Sequence, residues 1–563
     1  MAPASATART PLRAWLRPDP WTLGALVIAA LILTPLVAVG WMAFFPSENI
    51  WPHLIATVLP GYVMNSLALM AMTAIGAAVI GTGAAWLTVM TDFPGRRFFD
   101  LALLAPLAAP AYIGAYALTD FLEYSGPVQV HLRDVFGWAD ARDYWFPNVR
   151  TIWSAGLVLT LSLYPYVYLL ARAAFREQSV CALEVARSLG CGPWAMFFRV
   201  AIPLARPAIA AGVAIVAMET LNDFGAVDYF AVRTLTAGVF SVWLEGANSG
   251  GAAQISCVIL MFVLALLGLE SAGRRGKRFH SMSRRYRPIE RVRLTGGRAI
   301  VACLVCALPF LLGFVLPVAV IGSLALKRPE NWLDPSFWEA LVRTLWLGGA
   351  TALIAVSAGL FLAFGARRAT GPAPRFIARA TMIGYAAPGA VLAVGVLFPL
   401  AALDRSIHYA ALDLFGFGTG LLLTGSAAAV IFAYVVRFNA IAYGALDGAL
   451  GRVTPSMDMA ARTLGEGPGG ALRRVHLPII SGSMVTAAML IFVDAVKELP
   501  ATLILRPFNF STLATHVYDY ASREHLTEAA PAALAIIAVG MLPVAVLIRG
   551  LGAHRPGTLA SGT

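Results

Sequence analysis

Four carboxylates stand in strongly apolar stretches at matched spacing: Glu219 with Asp223, and Asp494 with Glu498. Within each pair the separation is four residues, which predicts that both acids share one face of a helix. The first acid of each pair lies sixteen residues after a proline, Pro203 or Pro478. Asp228 follows in the same stretch as the first pair. Acids held away from water are costly and mark ion or substrate pathways by default. Their oxygens suit hard cations, with the phenols of Tyr229 or Tyr164 as further donors. Two uses are open at this point: contact with a cation in transit, and salt bridges to Lys497 or Arg233 that hold a gate shut.

Other chemistry has less support. The eight His form no H-E-x-x-H spacing, so an intramembrane enzyme has no credible site. Cys303-x-x-Cys306 lies inside an apolar run, where packing is the expected role. No G-x-x-x-x-G-K-[ST] phosphate loop is present, so any ATP hydrolysis belongs to another polypeptide.

The elements that hold these acids are membrane helices. Of 563 residues, 59% are hydrophobic and only 13% charged, and the mean hydropathy is +0.74. A soluble protein carries about 25% charged residues. The apolar runs are too long for barrel strands, which leaves an all-α polytopic membrane protein.

Twelve stretches of about 18 or more residues with few charges emerge. In the first half they are Trp21–Ser47, Tyr62–Thr91, Leu101–Thr119, Thr151–Ala171, Pro207–Asn222 (interrupted by Glu219) and Gly251–Leu269. The second half supplies Ala299–Leu326, Thr344–Ala366, Thr381–Leu403, Leu414–Val436, roughly Ile479–Val493 extending beyond Asp494, and Ala529–Ile548. The first run is longer than a cleavable signal's apolar region and is expected to stay as an anchor.

Basic residues orient the spans. Arg9, Arg13, Arg17, Arg96, Arg97, Arg172, Arg176, Arg187, Arg199, Arg549 and Arg555 all fall on one side of a twelve-span layout, which places both termini in the cytoplasm. Residues 274–298 hold ten Lys or Arg against one acid, Glu290. This segment reads as a basic cytoplasmic linker, with docking or anionic-lipid contact as the alternative. The formal charge of +12 is thereby assigned to topology, with no nucleic-acid partner implied.

The chain also repeats itself. Ala186-Arg187-Ser188-Leu189-Gly190 aligns with Ala461-Arg462-Thr463-Leu464-Gly465 at an offset of 275, and Val200-Ala201-Ile202-Pro203 then falls on Val475-His476-Leu477-Pro478. Upstream, Ala109-Pro110 meets Ala387-Pro388 at an offset of 278. The expected organisation is a six-span repeat in 1–273, the linker 274–298 and a second six-span repeat in 299–563. An even number of spans per repeat gives both the same orientation and a pseudo-two-fold axis along the membrane normal. Along a helix, the acids lie about 24 to 30 Å beyond the cytoplasmic prolines.

Glu184-x-Ala186-x-x-x-Gly190 followed by Val200-x-Ile202-Pro203 resembles the "EAA" loop of permease subunits in binding-protein-dependent ABC importers. Met459-Ala460-Ala461-x-x-x-Gly465 through Val475-x-Leu477-Pro478 is similar to it as a second copy. That copy departs in having Met459 at the acidic position and Asp458 one residue earlier; either Asp458 substitutes or only the first loop uses an acidic contact. Such a loop needs small residues on one helix face, a Gly to end the helix and a Pro to begin the next.

The stretches Met218–Phe230 and Val496–Phe508 resemble the ferric-iron branch of these permeases, in which both halves are commonly fused. The resemblance implies a type I importer permease of the bacterial inner membrane that is not itself an enzyme. Two copies of an ABC ATPase would dock on the loops, with Glu184, Ala186, Gly190, Ala460, Ala461 and Gly465 as coupling residues. It also implies a periplasmic ferric-binding protein, Fe3+ as transported substrate and ATP on the partner subunits; a tight metal site is not expected, because a conduit must release what it carries. Thiamine, a phosphonate or a polyamine is the alternative cargo, and an ion-coupled secondary transporter the alternative class.

Overall fold

The computed structural model describes residues 20–178, 180–274, 291–368 and 373–553. Residues 275–290 of the basic linker lie outside the described residues, as do Arg9, Arg13, Arg17 and Arg555. The chain is an all-α polytopic membrane protein. Among the described residues, eleven helices are long and apolar enough to cross a membrane, or twelve if the bent pair Arg96–Ala108 and Ala111–Phe136, meeting at 94°, is one span.

Most spans fall where hydropathy places them, and the exceptions have identifiable reasons. The third is broken at Ala109-Pro110: Pro110 takes an extended conformation (φ −58°, ψ 146°), and the helix Ala111–Leu122 begins after it. Pro388 does the same (φ −54°, ψ 148°) ahead of Gly389–Phe415, which moves the ninth span toward higher numbers than Thr381–Leu403. The tenth, expected at Leu414–Val436, is the helix Ala427–Leu450. Gly416 and Gly420 both adopt positive φ, and Gly416 ends the preceding helix. Ser426 then caps the new one through the Ala428 N–H.

Two compact units form. The described parts of Met42–Thr344, Val496–Leu503 and Phe510–Thr563 make one, and those of Met1–Trp41, Leu345–Ala495 and Ile504–Asn509 make the other. The units therefore do not divide at the repeat boundary. The helix Pro20–Phe44, first among the described residues, lies as far as Trp41 with the second repeat's helices, where Trp21 packs against Phe361 and Phe364 at ring distances of 5.1 and 5.2 Å. The helix Gly297–Phe310 and its continuation belong with those of the first repeat, where Phe310 meets Phe98 edge-on at 5.5 Å. In that same unit, Thr91–Asp92 pairs in parallel with Val292–Arg293, which ties the residues after the linker to the end of the helix Leu59–Met90.

Each unit has a tight helix crossing that tolerates only glycine. A Cβ on Gly81 would sit 2.8 Å from the Tyr168 nitrogen, and one on Gly359 would sit 2.9 Å from the Tyr443 nitrogen. Small residues at such crossings let backbones approach where no hydrophobic drive separates helix from lipid. The two glycines are 278 apart and the two tyrosines 275 apart, so the duplication extends to packing. It extends to hydrogen bonds too: Leu235 N–H donates to Ser66 Oγ (2.9 Å), and Leu513 N–H donates to Thr344 Oγ1 (2.7 Å).

Candidate coupling loops and substrate path

In the first loop the helix Val180–Ser188 ends on Gly190 in the left-handed conformation (φ +80°). The Cys191 N–H donates to the Ala186 carbonyl and the Gly190 N–H to that of Arg187, both at 3.0 Å. This is the six-to-one, five-to-two pairing that satisfies the orphan carbonyls of a helix end. In the second loop, Pro455–Thr463 ends on Gly465 (φ +83°), with Glu466 N–H to Ala461 and Gly465 N–H to Arg462, again both at 3.0 Å.

The segments after the two glycines are duplicated as well. Pro193–Met196 leads into a π-turn, Phe197–Ala201, and then the helix Ile202–Asn222 with Pro203 in its first turn. Pro468–Ala471 leads into the π-turn Leu472–His476 and then Leu477–Val496, whose second residue is Pro478. Prolines lack an N–H and are accommodated where no helical bond is needed.

The two loops present similar faces. Ala186 and Ala461 are buried, whereas Glu184, Met459 and Ala460 are exposed. Leu189 and Leu464, the residues just before the terminal glycines, are 78% and 82% exposed.

Asp458 is placed differently from the exposed Glu184. Its carboxylate turns inward, accepting from Arg367 Nη2 at 2.9 Å and lying 2.5 Å from His476 Nε2. Arg367 also donates to the carbonyls of Leu450 (2.7 Å) and Val453 (2.8 Å). Burial pushes the Asp458 carboxyl up, but the hydrogen bonds and charges of Arg367 and His476 outweigh it and hold it below the usual carboxylate range. At the equivalent positions the first loop has Leu183 and Ala201, which carry neither a carboxylate nor an imidazole. There Gln178 Nε2 donates to the Ala201 carbonyl at 2.8 Å instead.

The acid pairs do not each share one helical face. The helices end between them, at Asn222 and Val496. Asp223 is extended (ψ 131°), and its Oδ1 accepts from the N–H groups of Ala226 and Val227 at 3.0 and 3.2 Å. Glu498 Oε1 and Oε2 accept from the N–H groups of Ala501 and Thr502 at 3.2 and 3.3 Å. Both acids therefore cap the short helices after them, Gly225–Tyr229 and Pro500–Leu505. Glu219 and Asp494 remain on the long helices, each partly buried. Asp228 accepts from the Tyr518 hydroxyl at 2.7 Å.

Of the two tyrosines raised as donors, Tyr229 stacks edge-on against Tyr116 at 4.5 Å. Tyr164 is buried in a separate packing cluster with Cys306. Cys303 Sγ donates to the Pro94 carbonyl at 3.3 Å, so the Cys pair is used in packing and local bonding. Tyr112, Tyr116 and Tyr518 escape a reading based on charged residues alone; the signal available was Tyr112-x-x-x-Tyr116, one helical turn apart just after Ala109-Pro110. Among the described residues, no three His, Cys, Asp or Glu side chains converge on a metal site.

Comparison with known proteins bears on this duplicated arrangement. Residues 77–272 match the family of binding-protein-dependent transport system inner membrane components. The chain is 27% identical over 491 residues to a Fe(3+)-transport system permease protein of Haemophilus influenzae, covering 86% of this chain and 88% of that one. It is 23% identical over 532 residues to a ferric transport system permease protein of Actinobacillus pleuropneumoniae, covering 86% and 72%. A putative 2-aminoethylphosphonate transport system permease protein of Salmonella paratyphi A is 25% identical over 261 residues, covering 44% of this chain and 92% of that one. Residues 77–272 thus carry the inner membrane component domain of binding-protein-dependent transport systems, and the duplicated loops and spans fit a permease with both halves in one polypeptide.

Proposed function

We propose that this permease moves ferric iron into the cytoplasm by alternating access, receiving it from a periplasmic binding protein and driven by two copies of an ABC ATPase. The observation that carries the reading is the likeness to a ferric permease over 86% of the chain. The phosphonate permease covers only 44% of the chain. A phosphonate would also meet the carboxylates of Asp223, Asp228 and Glu498, which disfavour an anion.

The two loops are the docking elements in this reading. Each offers a helix end held by a left-handed glycine and an exposed apolar residue, Leu189 or Leu464, to a groove on a soluble partner. The first adds the Glu184 carboxylate and the second the thioether of Met459, a side chain that adapts to irregular apolar surfaces. Six spans per repeat (1–273 and 299–563) put both loops on the cytoplasmic side together with the basic linker 274–298 and both termini. Hydrolysis of ATP takes place on the ATPase, and the permease itself performs no covalent chemistry.

The test is reconstitution in vesicles with candidate ATPase and binding proteins, followed by ATP-dependent uptake of Fe3+. Uptake that needs all three components is expected. A complex that assembles and hydrolyses ATP in response to the binding protein, yet carries a phosphonate or thiamine in place of iron, would refute the cargo assignment.

A further inference from the structure

The hydroxyls of Tyr112 and Tyr116 are buried and, among the described residues, neither has a hydrogen-bond partner. The two side chains are 4% and 1% exposed. Buried polar groups are nearly always satisfied, and an unmet hydroxyl costs about 1–3 kcal/mol. Two orphaned phenols side by side are therefore a feature to be explained.

Their surroundings are rich in oxygen. The rings lie one helical turn apart with centroids separated by 5.8 Å, and Tyr229 stands 4.5 Å from Tyr116. Tyr116 is in electrostatic reach of Tyr112, Tyr229, Tyr518 and Asp228, and Tyr112 of Asp223 and Glu498. Gly225 holds the capped helix close: a Cβ there would lie 2.8 Å from the Tyr112 Cβ. The Arg150 guanidinium sits over the Tyr229 ring at 5.2 Å and is bonded to Glu123 and Glu524. All these residues belong to one compact unit.

Phenols and carboxylates without a thiol or imidazole among them select a hard cation, and the three carboxylates disfavour an oxyanion. We propose that Tyr112 and Tyr116, with Asp228 and Tyr518 beside them, form a transient site for a hard trivalent cation on its way through the permease. This deepens the ferric-iron reading and rests on it. Each phenol that ligates gives up its proton to water as its oxygen bonds to Fe3+, with no change in the iron's oxidation state. Asp223 and Glu498 keep their capping bonds and act through their charge. Since the site must release its cargo, it holds the ion weakly.

The test uses the double variant Tyr112→Phe/Tyr116→Phe in the assembled permease–ATPase complex. Phenylalanine keeps the rings and removes only the two hydroxyls. Iron uptake is expected to fall at least tenfold (about 1.4 kcal/mol), while ATP hydrolysis stimulated by the binding protein stays within about twofold of wild type. In parallel, Fe3+ added as its citrate to the detergent-solubilised wild-type complex is expected to give a visible phenolate-to-iron charge-transfer band, absent in the double variant. Wild-type uptake by the double variant, or no band in the wild-type protein, overturns the site. A wild-type complex that takes up no iron in vesicles overturns the proposed function, and the band, read without transport, still decides the site.

Discussion

Replacing Gly190 or Gly465 tests whether the coupling loops depend on backbone conformation or on side-chain space. Both glycines have positive φ, +80° and +83°. A Cβ at either would meet nothing within 4 Å. The cost of Gly→Ala is then conformational alone, roughly 1–2 kcal/mol for a left-handed alanine. That is a factor of about 5–30 in the population of the correctly terminated loop. Asparagine visits this region more readily, so Gly→Asn is expected to cost less than Gly→Ala despite its larger side chain. The assay is iron transported per ATP hydrolysed in vesicles, with ATPase co-purification measured on the same samples. Expected is a ranking of Gly, then Asn, then Ala, with insertion unchanged and coupling reduced by up to about thirtyfold in the alanine variants. If Asn is the more damaging substitution, side-chain bulk at a packed partner surface decides the outcome, and the conformational argument fails.

The inward network of the second loop predicts that Asp458→Asn and His476→Ala each loosen the loop by about 1.5–3 kcal/mol, the worth of a hydrogen bond to a charged group; hydrogen exchange of residues 455–465 would show it, and unchanged protection would refute it. Because the Asp458 carboxyl is held below its ordinary value, its stabilisation is full above about pH 4 and is lost as pH falls through the lower folded value. Melting of the wild-type protein against the Asp458→Asn variant over acidic pH checks this, and a difference between them that already disappears near neutrality contradicts it. Asp223→Ala and Glu498→Ala are expected to cost about 1 kcal/mol each as lost helix caps, with Asp223→Asn and Glu498→Gln milder; thermal melting of the purified protein orders them, and no difference between Ala and amide variants argues against capping. Replacing Glu219 and Asp494 together by Gln is expected to depress iron uptake at least about tenfold, and normal uptake in that variant removes both from the path.

The spans were legible in the sequence because a bilayer forces each crossing helix to be a long, uncharged run, a property of consecutive residues. The glycine-terminated loops were legible for a similar reason, since the φ of Gly190 or Gly465 and the carbonyls it satisfies lie within a single helical turn or so of one another. The offsets of 275 and 278 predicted the duplication, and it reappears in the paired π-turns and in the hydroxyls of Ser66 and Thr344.

The polar contacts of the interior depend instead on groups far apart in the chain. The four-residue spacing of the acids predicted a shared helical face, yet the helices stop at Asn222 and Val496, because the second acid of each pair satisfies the N–H groups of the next helix. Asp458 stood beside the acidic position of its motif, and Arg367, 91 residues away, turned it inward. The pairing of Tyr518 with Asp228 spans 290 residues. Local patterns determine which segments become helices and how they end, since those terms act between near neighbours. Which polar atoms meet in the interior is settled by packing, where one close glycine crossing or one distant guanidinium outweighs the spacing written in the chain.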